Sequence, residues 1–199
     1  MPGAAKAAAI FATLCAVVSA ASASEFKSVY TKFDLNKCRQ TQKPDDQVFE
    51  GSWACKGIAG YNVFVSAADA RDMVSFGKSD ANNCAGLKSF GSFNSAGNQI
   101  EWRIKDGKPI AAILRWTVSI DPEDSTKHAT WLVVSKLGHG TSCQMHYVAG
   151  AFPNANEAAR QAADDKAGSF NCETDRPTFD SSLGPPNINL EACSALARE

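Results

Sequence analysis

The segment from His139 to His146 holds the densest group of residue types that could act as nucleophile and base. Ser142 and Cys143 lie between the two histidines, and such residues perform acyl transfer when a base reaches the nucleophile. The chain contains no G-x-S-x-G sequence. Cys143 and His146 are three positions apart, so in a strand their side chains point to opposite faces. We therefore predict no catalytic residue in this segment.

Metal or cofactor binding would depend on the three histidines of the chain, His128, His139 and His146. The first falls in a charged loop and the second at the turn between two strand-like segments. Histidines scattered in this way are typical of solvent-facing positions and not of a ligand set that converges on one ion. The sequence therefore predicts neither a metal site nor a cofactor.

Glycoside hydrolysis requires two carboxyl groups at a defined separation, and Asp69 and Asp72 are the closest noticeable pair. Arg71 lies between them, which favours a solvated turn held by ion pairs. Separation and burial decide this chemistry, so a cell-wall hydrolase stays the second alternative function.

Six cysteines follow the first 23 residues: Cys38, Cys55, Cys84, Cys143, Cys172 and Cys193. No two of them are closer than 17 positions, whereas zinc sites use close pairs such as C-x-x-C. An even number of cysteines in an exported chain predicts three disulfides. Pairing of chain neighbours is the simplest expectation: Cys38–Cys55, Cys84–Cys143 and Cys172–Cys193.

The first 23 residues have the pattern of a secretory signal peptide. Lys6 gives a positive start, the apolar run AAAIFATLCAVV follows, and Ala21 and Ala23 are placed for cleavage before Ser24. The run is too short to span a bilayer. We therefore expect residues 24–199 to form one exported domain, periplasmic or extracellular, with no membrane span after signal removal.

The charge balance bears on the class of partner. Once Lys6 leaves with the signal, 19 basic and 21 acidic residues remain, so the exported chain is nearly neutral. Such a chain has no strong field to attract nucleic acid or an anionic membrane. We expect an unidentified protein or envelope component as partner, and no nucleic acid.

Alternating apolar and polar residues predict strands over most of the chain. The clearest pattern is a hairpin over 100–121, where Asp106-Gly107 favours a type I′ turn. Alternate residues from Ile110 to Ile120 are expected to share one face. A second hairpin is predicted over 129–150. Three residues of its second strand are expected on one face: Cys143, Met145 and Tyr147.

One helix is predicted, over 154–167, and it precedes a tail. Asn154 and Glu157 resemble a capping box, and alanines recur at helical spacing. The tail over 170–199 is expected to be extended and tied by Cys172–Cys193. The expected fold is mostly β with one C-terminal helix, of the α+β class. Its sheet is expected to be antiparallel, as a disulfide-stapled curved sheet, sandwich or small barrel of about 7–8 strands.

The run Gly57-Ile58-Ala59-Gly60 could be taken for a phosphate-binding loop. A P-loop continues into Gly-Lys-Ser/Thr and a helix, whereas this run continues into a strand after Tyr61. We therefore predict a turn between two strands. Hairpin tips supply the candidate ligand-binding residues: Ile58, Tyr61, Lys105 and Lys108.

Two short stretches of the chain, WACKG followed by VFV and EWRIKDG followed by AAIL, resemble the periplasmic C-type lysozyme inhibitors. The resemblance involves Trp53, Cys55, Gly57, Trp102, Lys105 and Gly107. It implies a small disulfide-bonded antiparallel β-barrel that inhibits lysozyme. This chain departs from the family's loop pattern at Gln99-Ile100 and adds a helix and a tail. The leading expectation is a non-enzymatic exported binding or envelope-associated protein, and a lysozyme-inhibitor-like protein is the alternative.

Overall fold

The computed structural model describes residues 25–44, 49–79, 83–124, 126–138 and 140–196. The predicted signal segment and His139 lie outside these residues. The strands are β1 (Phe26–Lys32), β2 (Arg39–Gln42), β3 (Phe49–Lys56), β4 (Asn62–Ala68), β5 (Arg71–Gly77), β6 (Asn94–Lys105), β7 (Lys108–Ser119), β8 (His128–Gly138), β9 (Thr141–Ala149) and β10 (Thr178–Asp180). The helices are α1 (Ala155–Lys166) and the one-turn α2 (Cys193–Leu196). No helix of the described residues is long and apolar enough to cross a membrane.

The strands form one mixed sheet in the order β10-β9-β8-β7-β6-β5-β4-β3-β2, with β1 paired to β6. Most neighbours are antiparallel, but β9 pairs with β10, and β5 with β6, in parallel. The expected β-rich, disulfide-stapled fold with one main helix is confirmed. The described sheet has ten strands where about 7–8 were expected, and two of its neighbouring pairs, β5–β6 and β9–β10, are parallel within an otherwise antiparallel arrangement. The sheet is not closed into a barrel, so that option, which the lysozyme-inhibitor resemblance also implied, is wrong.

The first hydrophobic core lies between two parts of the same sheet. Side chains of β4 and β5 pack against those of β6 to β9; the core includes Val63, Val65, Val74, Phe76, Ile100, Trp102, Leu114, Trp116, Val133 and Tyr147. The ring of Phe76 meets that of Trp102 edge-on at 5.4 Å. Each such side chain contributes about 1.5–3 kcal/mol when fully buried. This layer therefore holds β2–β5 over one face of β6–β9.

The second core lies between the opposite face of the sheet and α1. Alanines of the helix lie against Ile113, Val134 and neighbouring apolar residues of β7–β9. Short alanine side chains let the helix approach the sheet closely, which confirms the predicted helix and the role of its stripe. Asn154 is the N-cap residue, as predicted, but the side-chain bond of a capping box is absent. Asn154 has a left-handed backbone (φ 52°), and its carbonyl oxygen accepts from the N–H groups of Glu157 and Ala158.

Two irregularities in the strands change which way side chains point. In β9, Met145 is an extra residue: Gln144 pairs with Ser135 of β8 and His146 with Val134, so Met145 has no partner of its own. Met145 therefore packs under α1 while Tyr147 joins the first core, so their predicted common face is wrong. In β6 a wider bulge places residues 97–99 opposite the single residue Arg115.

Three disulfides tie the fold together: Cys38–Cys55, Cys84–Cys193 and Cys143–Cys172. The first pairing is as predicted, and the other two predicted pairings are wrong. The tail after α1 returns along β9 as β10 and then reaches the 3₁₀ turn over Cys84–Leu87, so Cys172 pairs with Cys143 of β9 and Cys193 with Cys84 of that turn. The tail is therefore bonded once to the sheet and once to the turn that follows β5, and it is not closed on itself.

Candidate functional site: the loop surface around Phe93

The candidate residues of the β3–β4 turn are tucked against the protein. Ile58 and Tyr61 are half-buried and pack against the first core. The turn is closed by hydrogen bonds from Tyr61 N–H to the Ile58 carbonyl (2.8 Å) and from Gly57 N–H to the Tyr61 carbonyl (3.0 Å). A Cβ on Gly57 would lie 3.0 Å from the ring of Trp102, so glycine allows this close approach. The run is a turn, as predicted.

The other two candidates, Lys105 and Lys108, flank the β6–β7 turn. Asp106 and Gly107 both have positive φ, as the predicted turn type requires. The Lys105 ammonium lies 5.2 Å from the centre of the Phe26 ring, and Lys108 is exposed. Ligand binding at all four candidates stays a prediction.

His146 lies in a polar group at the junction of α1, β9 and β10. Its Nδ1 is 2.7 Å from Thr178 Oγ1, its Nε2 is 3.1 Å from Asp180, and Lys166 donates to the same threonine oxygen at 2.5 Å. Burial, reinforced by the charge of Lys166, lowers the pKa of His146. Hydroxyl, imidazole and carboxylate thus form a chain, but the histidine side chain is only 3% exposed. The lysine bond also withdraws electron density from the hydroxyl that would have to act as nucleophile.

The carboxylates considered for glycoside hydrolysis have separate roles. Asp69 pairs with Arg71 at 2.5 Å on the surface. Asp72 is half-buried, accepts from the Ala96 N–H at 2.8 Å, and has its pKa raised mainly by burial. Among the described residues, no group of three or more histidine, cysteine or acidic residues could hold a metal ion.

Three loops meet at one end of the sheet, and of these the sequence had drawn attention only to the turn around Asp69 and Arg71. They are the β4–β5 turn, the segment before β6 and the loop after β7; we call residues 69–71, 91–95 and 119–122 the loop surface. Phe93 and Ile120 are 57% and 63% exposed there. Two clefts of about 370 and 310 Å³ flank Phe93 and share it as a lining residue. The predicted inward position of Ile120 is wrong, because β7 ends at Ser119.

Asn94 fixes the backbone that carries Phe93. This asparagine is 9% exposed, and its amide donates to the carbonyls of Phe90 (3.2 Å) and Ser92 (2.8 Å). Its Oδ1 accepts from the Asp72 N–H at 3.2 Å. A buried and satisfied amide of this kind holds a loop in one conformation.

The loops are also bonded to one another and to the tail. The carbonyl of Phe93 accepts from the Ser119 N–H at 2.8 Å, and the N–H of Gly91 donates to the Asn187 carbonyl at 2.8 Å. The aromatic ring is therefore exposed on a backbone that is already ordered.

Acidic side chains border the loop surface. The carboxylates are Glu50, Asp69, Asp121, Glu123 and Asp124, and the cations are Arg71 and Lys127. Within the described part of this surface, five carboxylates against two cations leave a surplus of three negative charges. Hydrogen bonds from the side chains of Lys127 and Thr126 lower the pKa of Asp121 and of Asp124, respectively, so both are ionised at neutral pH.

No family model, curated protein or solved structure matches this chain.

Proposed function

We propose that this protein is an exported, non-enzymatic binding protein whose loop surface docks on a basic protein partner. The observation that carries the proposal is the ring of Phe93, held 57% exposed by a hydrogen-bonded loop. Exposed aromatic residues on ordered backbone are typical of interface anchors, because little conformational freedom is lost on binding.

The chemistry of the surface supports one type of partner. Phe93 and Ile120 supply apolar contact area, and the flanking clefts can receive side chains of a partner. The surplus of carboxylates around them favours a partner whose own apolar contacts are bordered by lysine and arginine. We place the lysozyme-inhibitor-like alternative at the same surface, where it can be tested with the same variants.

Periplasmic or extracellular location is part of this proposal. Three disulfides are typical of proteins that fold in an oxidising compartment. A measurement of the disulfide state of the protein in its native cells would test the location: recovery as the free thiol form would contradict it.

Capture from extract tests the binding function. Oxidised wild-type protein on a matrix is compared with Phe93→Ser and with Phe179→Ser, which makes the same change in β10, four strands from β6. We expect one basic protein to be retained by the wild type and by Phe179→Ser, released by salt, and lost from Phe93→Ser. Equal retention by all three matrices would contradict the proposal.

Direct mixing tests the lysozyme alternative. We expect that micromolar protein slows cell-wall lysis by lysozyme and that Phe93→Ser abolishes this effect while Phe179→Ser does not. An unchanged lysis rate with the wild-type protein would exclude lysozyme as the partner. It would not contradict the proposal that the loop surface binds another basic protein.

The His146 group gives the hydrolase alternative its only concrete form among the described residues. Turnover would have to pass through the hydroxyl of Thr178, activated by His146. Ester or glycan turnover that Thr178→Val abolishes would replace the binding proposal with this one. We expect no turnover above background.

A further inference from the structure

The bulge in β6 separates two clefts that have no lining residue in common with those of the loop surface. One, of about 510 Å³, lies between the bulge and the start of α1. The other, of about 660 Å³, lies between the bulge and the Cys38–Cys55 disulfide. Asn98, at the centre of the bulge, lines both clefts. We call this pair of clefts the bulge groove.

The bulge groove is cationic, in contrast to the loop surface. Its charged lining residues are Lys32, Asp34, Lys37, Lys56, Glu101, Arg115 and Arg160. The two acids are already paired: Asp34 with Lys37 at 3.4 Å, and Glu101 with Arg160 at 2.6 Å. The charges of Lys32, Lys56 and Arg115 are therefore left without a carboxylate partner among the described residues.

Glu101 is the more firmly neutralised of the two acids. It accepts from Arg160 through Nε and Nη2, and the Ser28 hydroxyl donates to the same carboxylate. Arg160 is held in place in turn by Glu157 and by the hydroxyl of Tyr30 at 3.2 Å. Glu101 and Arg160 both line the groove, so the charge of this carboxylate is offset by a cation in direct contact with it.

Neutral polar groups face the same groove. The side-chain amides of Asn98 and Gln99 are exposed and make no hydrogen bond with another described residue. Arg115 uses one nitrogen on Asn156 (2.9 Å), so Nε and Nη1 stay available. The ring of Tyr30 is 50% exposed beside them. The groove thus offers donors, acceptors, an aromatic face and unpaired cations together.

We propose that the bulge groove binds an acidic polysaccharide whose sugar units carry carboxylates. Amides and the tyrosine ring are suited to sugar hydroxyls and to the apolar face of a sugar ring. Arg115, Lys32 and Lys56 are suited to carboxylates on successive units, since guanidinium and ammonium groups form charge-assisted hydrogen bonds with them. One cleft lies on the α1 side of the sheet and the other beside the first core, so a chain of several sugar units would contact both by passing around Asn98.

A single-stranded nucleic acid is the main competing anion. Sites for such strands combine positive charge with several aromatic side chains on which bases stack. Tyr30 is the one exposed aromatic residue among the described residues that line the groove. The observations therefore favour a carboxylated glycan.

Calorimetric titration with purified wild-type protein tests this proposal. The probes are tetragalacturonate, its uncharged counterpart maltotetraose, and a short oligothymidylate. We expect binding of tetragalacturonate that weakens as salt is added, because salt screens exposed charges. Absence of binding, or equal binding of maltotetraose or oligothymidylate, would overturn the proposal.

Substitutions locate the site. Lys56→Glu reverses one positive charge and Arg115→Gln removes one, and each is expected to weaken tetragalacturonate binding about fivefold or more. Lys27→Glu is the control for the charge reversal, because Lys27 is exposed near the start of β1 and lines neither cleft. An equal loss in Lys27→Glu would show attraction by overall charge only and would overturn the assignment. None of these variants changes the loop surface, so failure here is distinct from failure of the proposed function.

Discussion

The Cys84–Cys193 disulfide joins residues 109 positions apart, and its removal is expected to cost more stability than removal of Cys38–Cys55, which joins residues 17 apart. A disulfide restricts the unfolded chain in proportion to the logarithm of the loop that it closes. This relation gives about 5 kcal/mol for the longer loop and about 3 kcal/mol for the shorter one.

The contacts of the tail add a structural consequence to this difference. Cys193 holds the preceding segment of the tail in place. In that segment Ile188 forms an isolated β-bridge with Phe90, and the carbonyl of Asn187 accepts a hydrogen bond from the Gly91 N–H. That segment therefore supports the loop that carries Phe93. Loss of the disulfide is expected to loosen the loop surface as well as to lower the free energy of unfolding.

Urea unfolding followed by circular dichroism measures the effect. The double variants Cys84→Ala/Cys193→Ala and Cys38→Ala/Cys55→Ala are compared with the wild type at neutral pH. We expect the first pair to lose about 2 kcal/mol more than the second. An equal or smaller loss in the first pair would show that the tail detaches without affecting the core, and would refute the reasoning.

Two further stability predictions follow from buried charges, and two binding predictions accompany the proposals above. Lys88 is 3% exposed, its ammonium donates to the Glu191 carbonyl at 2.6 Å, and burial lowers its pKa from 10.5 to about 8. The unfolded chain binds the Lys88 proton more tightly than the folded chain, so the free energy of unfolding rises as pH increases from about 8 to about 10.5. Lys88→Met should therefore raise the free energy of unfolding by about 1–3 kcal/mol at pH 7 and flatten that rise. An unchanged pH dependence in urea unfolding of Lys88→Met would contradict this. Asp164→Asn removes the carboxylate that lies 2.5 Å from the buried guanidinium of Arg103 and should lower the free energy of unfolding by about 3 kcal/mol. Glu157→Gln, in the exposed ion pair with Arg160, should lower it by less than about 1 kcal/mol. Similar losses in the two variants would show that burial of the Arg103–Asp164 pair is unimportant. Phe93→Ser should abolish partner capture, and Lys56→Glu should weaken glycan binding, each against its control.

Local patterns predicted the local structure well. The Asp106-Gly107 turn, the alternation around it and the alanine stripe of α1 each depend on residues close in sequence, so they could be read directly. The bulge at residues 97–99 also left a signal, since Gly97-Asn98 is a turn-forming pair inside a strand pattern. These features account for most of the sheet and for the helix.

Long-range relations were not predictable from the same patterns. The disulfide partners of Cys84 and Cys143 depend on the path of the tail, which no local propensity describes. The bulge at Met145 reverses the expected face through one extra residue, and strand alternation alone gives no warning of it.

The exposure of Phe93 on the loop surface was missed for a physical reason. A phenylalanine in a segment rich in glycine and serine is equally compatible with burial and with exposure. Phe93 is exposed because Asn94 bonds the loop backbone around it, and that bonding involves Asp72 of a different strand. The β4–β5 turn beside it gives no glycine signal either, since Asp69 and Ala70 both adopt positive φ.

The affinity of the captured partner for Phe93→Ala, relative to wild type and to Phe179→Ala, tests the central claim most directly. Truncation of an interface anchor typically costs at least 2 kcal/mol, which corresponds to a loss of about thirtyfold. The account predicts that loss in Phe93→Ala, with an unchanged unfolding midpoint, and no more than about a twofold change in Phe179→Ala. Equal affinities of all three proteins would contradict the assignment of the loop surface as the binding site.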